Sequence, residues 1–370
     1  MKKQNCNPYV PDLSDPLTGR FVLQTVLGFL SIHFLIWAVV AQMLQVEWLQ
    51  LLNHWDSRWY SGIVQKGYAE KSLAFYPFYP FCIIAAAWGT GHWVPAPILG
   101  ALVSTLLFLA FCGSIFSTKT SGPLRPKTKL GWLLFLCWPG SMIFHSHHTE
   151  SLFLFLTFWT FFHAQQRRWI LASLLAGLCA LTRSHGVLVA ITAGVWVAMN
   201  APTLGWGPRV RRFLLSGCLS ASIFSLFPLF QYYRFGDPFL FLKAQSLWTH
   251  AQTWKEYIGT FFFLSPHCVF TYMQVTHYIF FLGLWTWFVY FRRQHPFFAL
   301  YLFLVLMLIP AQLEVVNVFR FGAVLFPILF IAGDWVALTF PRAGQWGLLF
   351  YFIVHNLIIT MNYAASRWSY

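Results

Sequence analysis

The chain has 370 residues, of which 58% are hydrophobic, 20% aromatic and only 9% charged. A soluble domain carries about 25% charged residues, so this composition excludes a water-covered globule and points to a polytopic membrane protein. Lys and Arg outnumber Asp and Glu by 24 to 10, a formal charge of +14. The basic residues fall mainly in short loops between apolar runs, which is the signature of membrane orientation and not of nucleic-acid binding.

Taken in chain order, a polar stretch of about twenty residues precedes the first apolar run and lacks the pattern of a cleaved signal peptide. It is expected to be a short cytoplasmic segment, residues 1–20, of a single transmembrane domain spanning 1–370. Apolar runs then start near Phe21, Val94, Leu130, Ser151, Trp169, Gly186, Phe213, Val275, Pro296, Phe321 and Gly347. Basic groups separate them: Lys2, Lys3 and Arg20; Lys119, Arg125, Lys127 and Lys129; Arg167 and Arg168; Arg209, Arg211 and Arg212; Arg292 and Arg293. Placing all of these inside makes the first span end outside near Leu44 and forbids an extra crossing before residue 117. The run Leu73 to Trp88, broken at its start by Pro77 and Pro80, is therefore expected to be re-entrant or interfacial. The run Tyr257 to Phe270, broken by Pro266, is treated likewise. The expected fold is an all-α polytopic bundle of about eleven spans, N-terminus in and C-terminus out. The seven cysteines (Cys6, Cys82, Cys112, Cys137, Cys179, Cys218 and Cys268) form no C-x-x-C pair and read as small core residues. No glycosylation sequon and no internal repeat is visible.

With this layout Asp12, Asp15 and Asp334 lie on the inner side. Glu47, Asp56, Glu70, Glu150, Asp237, Glu256 and Glu314 lie on the outer side with Arg58, His145, His147, His148, Arg183, His185, Lys243 and Arg320. Ionisable groups at membrane depth are costly and mark functional sites. Arg183, in "ALTRSHGVL", sits between two apolar runs with almost no linker, and its planar fork suits a lipid phosphate. Arg320, in "EVVNVFRFG", is similar, with Glu314 as an internal partner. "HSHHTES" raises a metal site, but imidazoles at i and i+2 do not share a helix face and no second ligand group completes a set. No metal and no cofactor is expected. No Walker A, G-x-G-x-x-G or D-x-D element marks a nucleotide.

Several segments together resemble a known family. "HWDSRWYSGIVQKGY" followed by "SLAFYPFYP", then "CWPGSMIFHSHHTESLFLFLTF", "LAGLCALTRSHGVL", "FGDPFLFLKAQSLW" and "FRFGAVLFPILFIAGDW", are similar, in family order, to segments of the PIG-V mannosyltransferases. "HHTES" stands where the family has "YSES", and "RSHG" where it has "RSNG". The resemblance implies a GT-C bundle that takes a hexose, mannose above all, from a polyprenyl- or dolichyl-phosphate sugar. The acceptor is lipid-linked or a glycan, and the reaction runs on the extracytoplasmic or lumenal face. Asp56 matches the acidic position in the first outer loop of such enzymes and is the expected base, acting with inversion by single displacement. Glu150 is expected to orient the acceptor or the sugar, and to be the alternate base. Arg183 and Arg320, then Lys243 and Arg58, are candidates for the lipid phosphate; Arg58 could instead pair with Asp56. Trp55, Trp59 and Tyr60 are placed to stack on sugars or anchor the loop. His148, His185, Asp237 and Gln245 complete the substrate-binding candidates. The partners are the lipid-phosphate sugar, the acceptor and membrane lipids, without nucleic acid; a small membrane subunit is neither required nor excluded. The missing sequons and short loops favour a bacterial inner membrane over an endoplasmic reticulum. The competing reading is a lipid or sugar transporter, with a scaffold subunit third. Convergence of Asp56, Glu150 and Arg183 in an outward cavity would favour the enzyme, whereas a pore across the membrane would favour the transporter.

Overall fold

A computed structural model describes residues 12–118, 122–200, 205–246, 253–261, 272–312 and 317–367. Lys2, Lys3, Cys6, Lys119, Pro266, Cys268 and Glu314 lie outside the described residues, and with them the proline break of the second re-entrant run and the expected acidic partner of Arg320. The described residues are helical throughout, apart from loops and one isolated antiparallel bridge between Pro16 and Thr128.

The helices follow the apolar runs. They are α1 (Gly19–Leu44), α2 (Trp48–Leu51), α3 (Asp56–Lys66), α4 (Phe78–Gly89), α5 (Ala96–Ser117), α6 (Lys129–Leu136), α7 (Glu150–Gln165), α8 (Trp169–Thr182) and α9 (Gly186–Met199). Then come α10 (Trp206–Phe224), α11 (Leu226–Phe235), α12 (Leu240–Gln245), α13 (Trp254–Phe261), α14 (Tyr272–Phe291), α15 (Pro296–Leu308), α16 (Val318–Ala323), α17 (Phe326–Thr339) and α18 (Arg342–Ala364). Four helical stretches are long and apolar enough to cross a membrane: α1, α5, α10 continued by α11, and α18. Shorter apolar helices pack among them. Leu214, Leu215 and Leu226 on the third stretch, and Leu23, Leu27 and Leu35 on α1, are exposed. In water so much bare apolar surface would aggregate; in lipid it is solvated. The chain is a multi-pass integral membrane protein.

Two of the expected spans are interrupted, and the interruptions lock together. The run from Leu130 stops at α6 because Trp138-Pro139-Gly140 follows: proline withdraws a backbone donor. The chain continues through a 3-10 turn, Ser141–Phe144, before α7 begins at Glu150. The run from Phe321 splits into α16 and α17, with Pro327 in the first turn of α17. A Cβ on Gly140 would lie 2.4 Å from the Phe319 carbonyl, and one on Gly322 would lie 2.1 Å from the Trp138 ring. The Trp138 indole donates to the same Phe319 carbonyl at 2.6 Å. Two glycines thus let the broken segments approach closely, and Arg320 is carried between Phe319 and Phe321 at that contact.

Two faces follow from the hydrogen bonds. On one, the N-terminal strap is stitched to the start of α6: Leu17 N donates to Lys127 O at 3.1 Å, Lys129 N to Asp15 O at 3.0 Å and Leu130 N to Leu13 O at 3.0 Å. Asp334, near the end of α17, accepts from the Lys127 and Thr128 amides at 2.9 Å and from the Thr128 hydroxyl at 2.8 Å. Lys129 pairs with Asp15, and Arg342 at the start of α18 pairs with Asp12. At 1.5 Å per residue α18 carries the chain roughly 35 Å away, where Ser366 lies 3.1 Å from His54. On that second face Val46, just after α1, and Pro95, just before α5, line one cavity. The segment between them therefore leaves and returns on the same side, and α4 is only 12 residues long. The five cysteines among the described residues are unpaired.

Candidate active site

The second face gathers four of the expected charged residues. Glu150 is the first residue of α7, Arg183 caps the C-terminus of α8, Asp56 opens α3 and Arg320 lies on α16. Arg183 Nη1 and Arg320 Nε both donate to Glu150 Oε1. Arg320 Nη1 reaches on to Asp56 Oδ2 at 2.6 Å. Arg183 Nη1 also donates to the Thr149 hydroxyl at 3.1 Å. Two guanidinium groups thus face two carboxylates in a chain: Arg183, Glu150, Arg320, Asp56. In a low-dielectric setting such balance is what permits the charges to be there.

The two carboxylates are not equivalent. The Glu150 side chain has 0% exposure, whereas that of Asp56 has 21%. Both guanidinium groups sit on the same Glu150 oxygen, Oε1, and the side chain is closed to solvent. Asp56 is the carboxylate open to an incoming molecule. Its presentation carries strain: Trp55, immediately before it, has φ 51° and ψ −122°. A non-glycine residue held in that region costs of order 1–3 kcal/mol, and such residues cluster where a side chain must be aimed.

The loop before Glu150 is held by its neighbours on every side. Ser57 donates to the His147 carbonyl and Ser104 to the His148 carbonyl, both at 2.9 Å. The His147 ring lies 3.0 Å from Tyr79 Oη and 3.2 Å from Ser61 Oγ. His148 Nδ1 lies 2.9 Å from Ser146 Oγ, and His145 shares a 2.7 Å hydrogen bond with His33. The three imidazoles thus turn to three separate partners, and among the described residues no group of three His, Cys, Asp or Glu is placed to hold a metal ion. His148 lies beside the cluster, ringed by Tyr363 at 5.8 Å. Tyr60 is buried, packing edge-on against Phe75 and Tyr79, while Trp59 stacks on Phe75. Trp59 and Tyr60 are thus packed on protein rings, and Trp55 is half-buried. His185 is 9% exposed, packs on Phe321 at 4.4 Å between Arg183 and α16, and its Nε2 has no hydrogen-bond partner among the described residues.

Other expected site residues go elsewhere. Arg58 does not pair with Asp56: two residues apart on a helix the side chains point in different directions. Its Nε donates to the Asn53 carbonyl at 3.0 Å, and the side chain lines the separate cavity beside α2. Lys243 is 70% exposed and paired with Asp237, not with the cluster. Gln245 donates to the Ala74 carbonyl at 2.8 Å, tying α12 to the loop that follows α3.

Sequence reasoning missed the support behind the site. His33, in mid-α1, bridges His145 and Asn356 Oδ1, the latter at 2.7 Å. Asn356, in mid-α18, donates to the Trp138 carbonyl and to Ser141 Oγ, both at 2.9 Å. A lone His and a lone Asn inside long apolar runs were the available signal.

The chain is 29% identical over 201 residues to mouse GPI alpha-1,6-mannosyltransferase 2, covering 49% of this chain and 40% of that protein. The rat protein of the same name is 26% identical over 208 residues, covering 50% of this chain and 40% of the relative. GPI mannosyltransferase 2 of Drosophila pseudoobscura pseudoobscura is 29% identical over 161 residues. The chain resembles the GPI mannosyltransferases. The likeness read from the ordered segments is thereby borne out by independent similarity. The chain spans about two fifths of the length of the mouse and rat relatives. No family model and no solved structure matches it. The relatives lend no support to a transporter, and their animal origin lends none to a bacterial inner membrane.

Proposed function

We propose that this chain is a membrane mannosyltransferase of the GPI type, a GT-C-like bundle of about eleven spans in which the segment 45–95 re-enters without crossing. It moves mannose from a polyprenyl- or dolichyl-phosphate donor to a glycolipid acceptor on the extracytoplasmic or lumenal face. One observation carries the reading: two arginines are held on a fully buried glutamate, and one of them extends to the only solvent-open carboxylate of the cluster.

Such a donor needs no activation beyond its phosphate leaving group. The acceptor hydroxyl oxygen attacks the anomeric carbon as its proton passes to Asp56. The bond from that carbon to the phosphate oxygen breaks, its electron pair leaves with the phosphate, and the anomeric centre inverts. Arg183 and Arg320 steady the charge gathering on the departing phosphate. Glu150 acts by holding both guanidinium groups in place, so they need no reorganisation at the moment of reaction. His185 Nε2, buried beside them and unpartnered among the described residues, supplies a further hydrogen bond to phosphate. No nucleotide, metal or other cofactor has a role in this scheme.

The test is Asp56→Asn in the full chain, assayed for mannose transfer from a short polyprenyl phosphomannose. Turnover should fall by at least about 10²-fold, the lower end of what a positioned base supplies, with membrane insertion intact. Turnover at the wild-type level would remove Asp56 as the base.

A further inference from the structure

Arg58 and its surroundings form a second polar site, adjoining the carboxylate cluster but separate from it. A cavity of about 620 Å³ lies beside α2 and the start of α3, within the range of about 300–1,000 Å³ typical of ligand pockets. Gln50, Asn53, His54, Arg58, Gln65 and Ser366 supply its polar lining, and among the described residues no acidic one lines it. Val46, Leu49, Pro95 and Pro97 make the rest apolar. Arg58 Nε is fixed on the Asn53 carbonyl, which leaves its two terminal nitrogens without a partner among the described residues. Trp48 and Trp93, on the adjoining turns, are 47% and 89% exposed, as tryptophans are at a lipid headgroup boundary.

We infer that this cleft binds the anionic, phosphodiester-bearing head group of the glycolipid acceptor. The free fork of Arg58 matches two phosphate oxygens, the amides match sugar hydroxyls, and the apolar rim matches the start of the lipid chains. A bulkier or cationic ligand would gain nothing from the lone guanidinium. The position suits an acceptor: Arg58 and Asp56 share the first turn of α3 but face different ways, so a head group anchored on Arg58 extends a sugar around the helix start to Asp56. The donor phosphate is left to Arg183 and Arg320. Naming the ligand as acceptor rests on the mannosyltransferase reading; the anionic-lipid site itself does not.

The experiment therefore has two arms, both on the full chain in nanodiscs. In the first, native mass spectrometry compares retention of phosphatidylinositol with that of phosphatidylcholine. Wild type should prefer phosphatidylinositol, Arg58→Gln should lose that preference by about tenfold, the loss of one charge-assisted hydrogen-bonding group, and Arg58→Lys should keep part of it. Excess inorganic phosphate should not compete if the lipid is the source. Equal retention by wild type and Arg58→Gln would overturn the site. In the second arm, mannose transfer is followed against acceptor at saturating donor. Arg58→Gln should raise the KM for acceptor about tenfold and leave that for donor unchanged. A rise in donor KM instead would overturn the acceptor assignment. Absence of transfer by wild type would count against the enzymatic reading and leave the first arm to decide the cleft.

Discussion

Glu150→Gln tests the central arrangement most sharply. The substitution keeps the size of the side chain and its hydrogen-bonding oxygen but removes one negative charge. Two arginines then face Asp56 alone, and a cluster balanced at two against two becomes net positive by one charge. The Glu150 side chain is wholly buried and those of Arg183 and Arg320 are only 11% and 10% exposed, so water cannot make up the difference. Removing one partner from a buried ion pair costs about 3–5 kcal/mol. At roughly 2 °C per kcal/mol for a large chain, the midpoint of unfolding should fall by about 6–10 °C. An anion should restore much of this, so a short polyprenyl phosphate should raise the midpoint more in Glu150→Gln than in wild type. The assay is intrinsic tryptophan fluorescence during heating, in detergent, with and without that phosphate. A variant that melts with the wild type yet has lost all turnover would refute the reasoning, because Glu150 would then be acting in the chemistry and not as the anchor of the arginines.

Other substitutions separate the parts. Arg183→Gln should raise the KM for the lipid-phosphate donor by about tenfold or more, the worth of a charge-assisted hydrogen bond, with the acceptor KM unchanged; titrating each substrate in turn checks this. Gly322→Ala places a methyl group against the Trp138 ring, and such overpacking should destabilise by about 1–3 kcal/mol, visible as a lower melting midpoint and, through displaced Arg320, as lost turnover. Asp334→Ala removes the acceptor of the Lys127 and Thr128 amides. It should cost about 1–2 kcal/mol as a lost cap, while substrate KM values stay unchanged because the site lies a helix length away.

Much of the arrangement was legible in the order of residues. Sparse charge and long apolar runs dictate helices in lipid, because an unsatisfied backbone there costs several kcal/mol per group. The starts of α7, α8, α9 and α15 fall within a residue of the expected positions, since Arg168, His185 and Pro296 punctuate the chain locally. Asp56, Glu150, Arg183 and Arg320 stood out because charge is rare in this chain and each interrupts apolar sequence. What composition and spacing could not decide was which charges meet. In sequence Arg58 reads as the cation beside Asp56 and Arg320 as a cation beside Glu314. Only the tertiary contact of two broken helices, closed by Gly140 and Gly322, brings Arg320 across 264 residues to the carboxylate, while helix geometry turns Arg58 away. Nor could sequence separate the two carboxylates: one is wholly buried and the other 21% exposed, a difference made by what packs around them. The residue types were written in the chain, but the pairing of charges is a property of the packed bundle, because burial and distance set the energy of an ion pair and neither exists before folding.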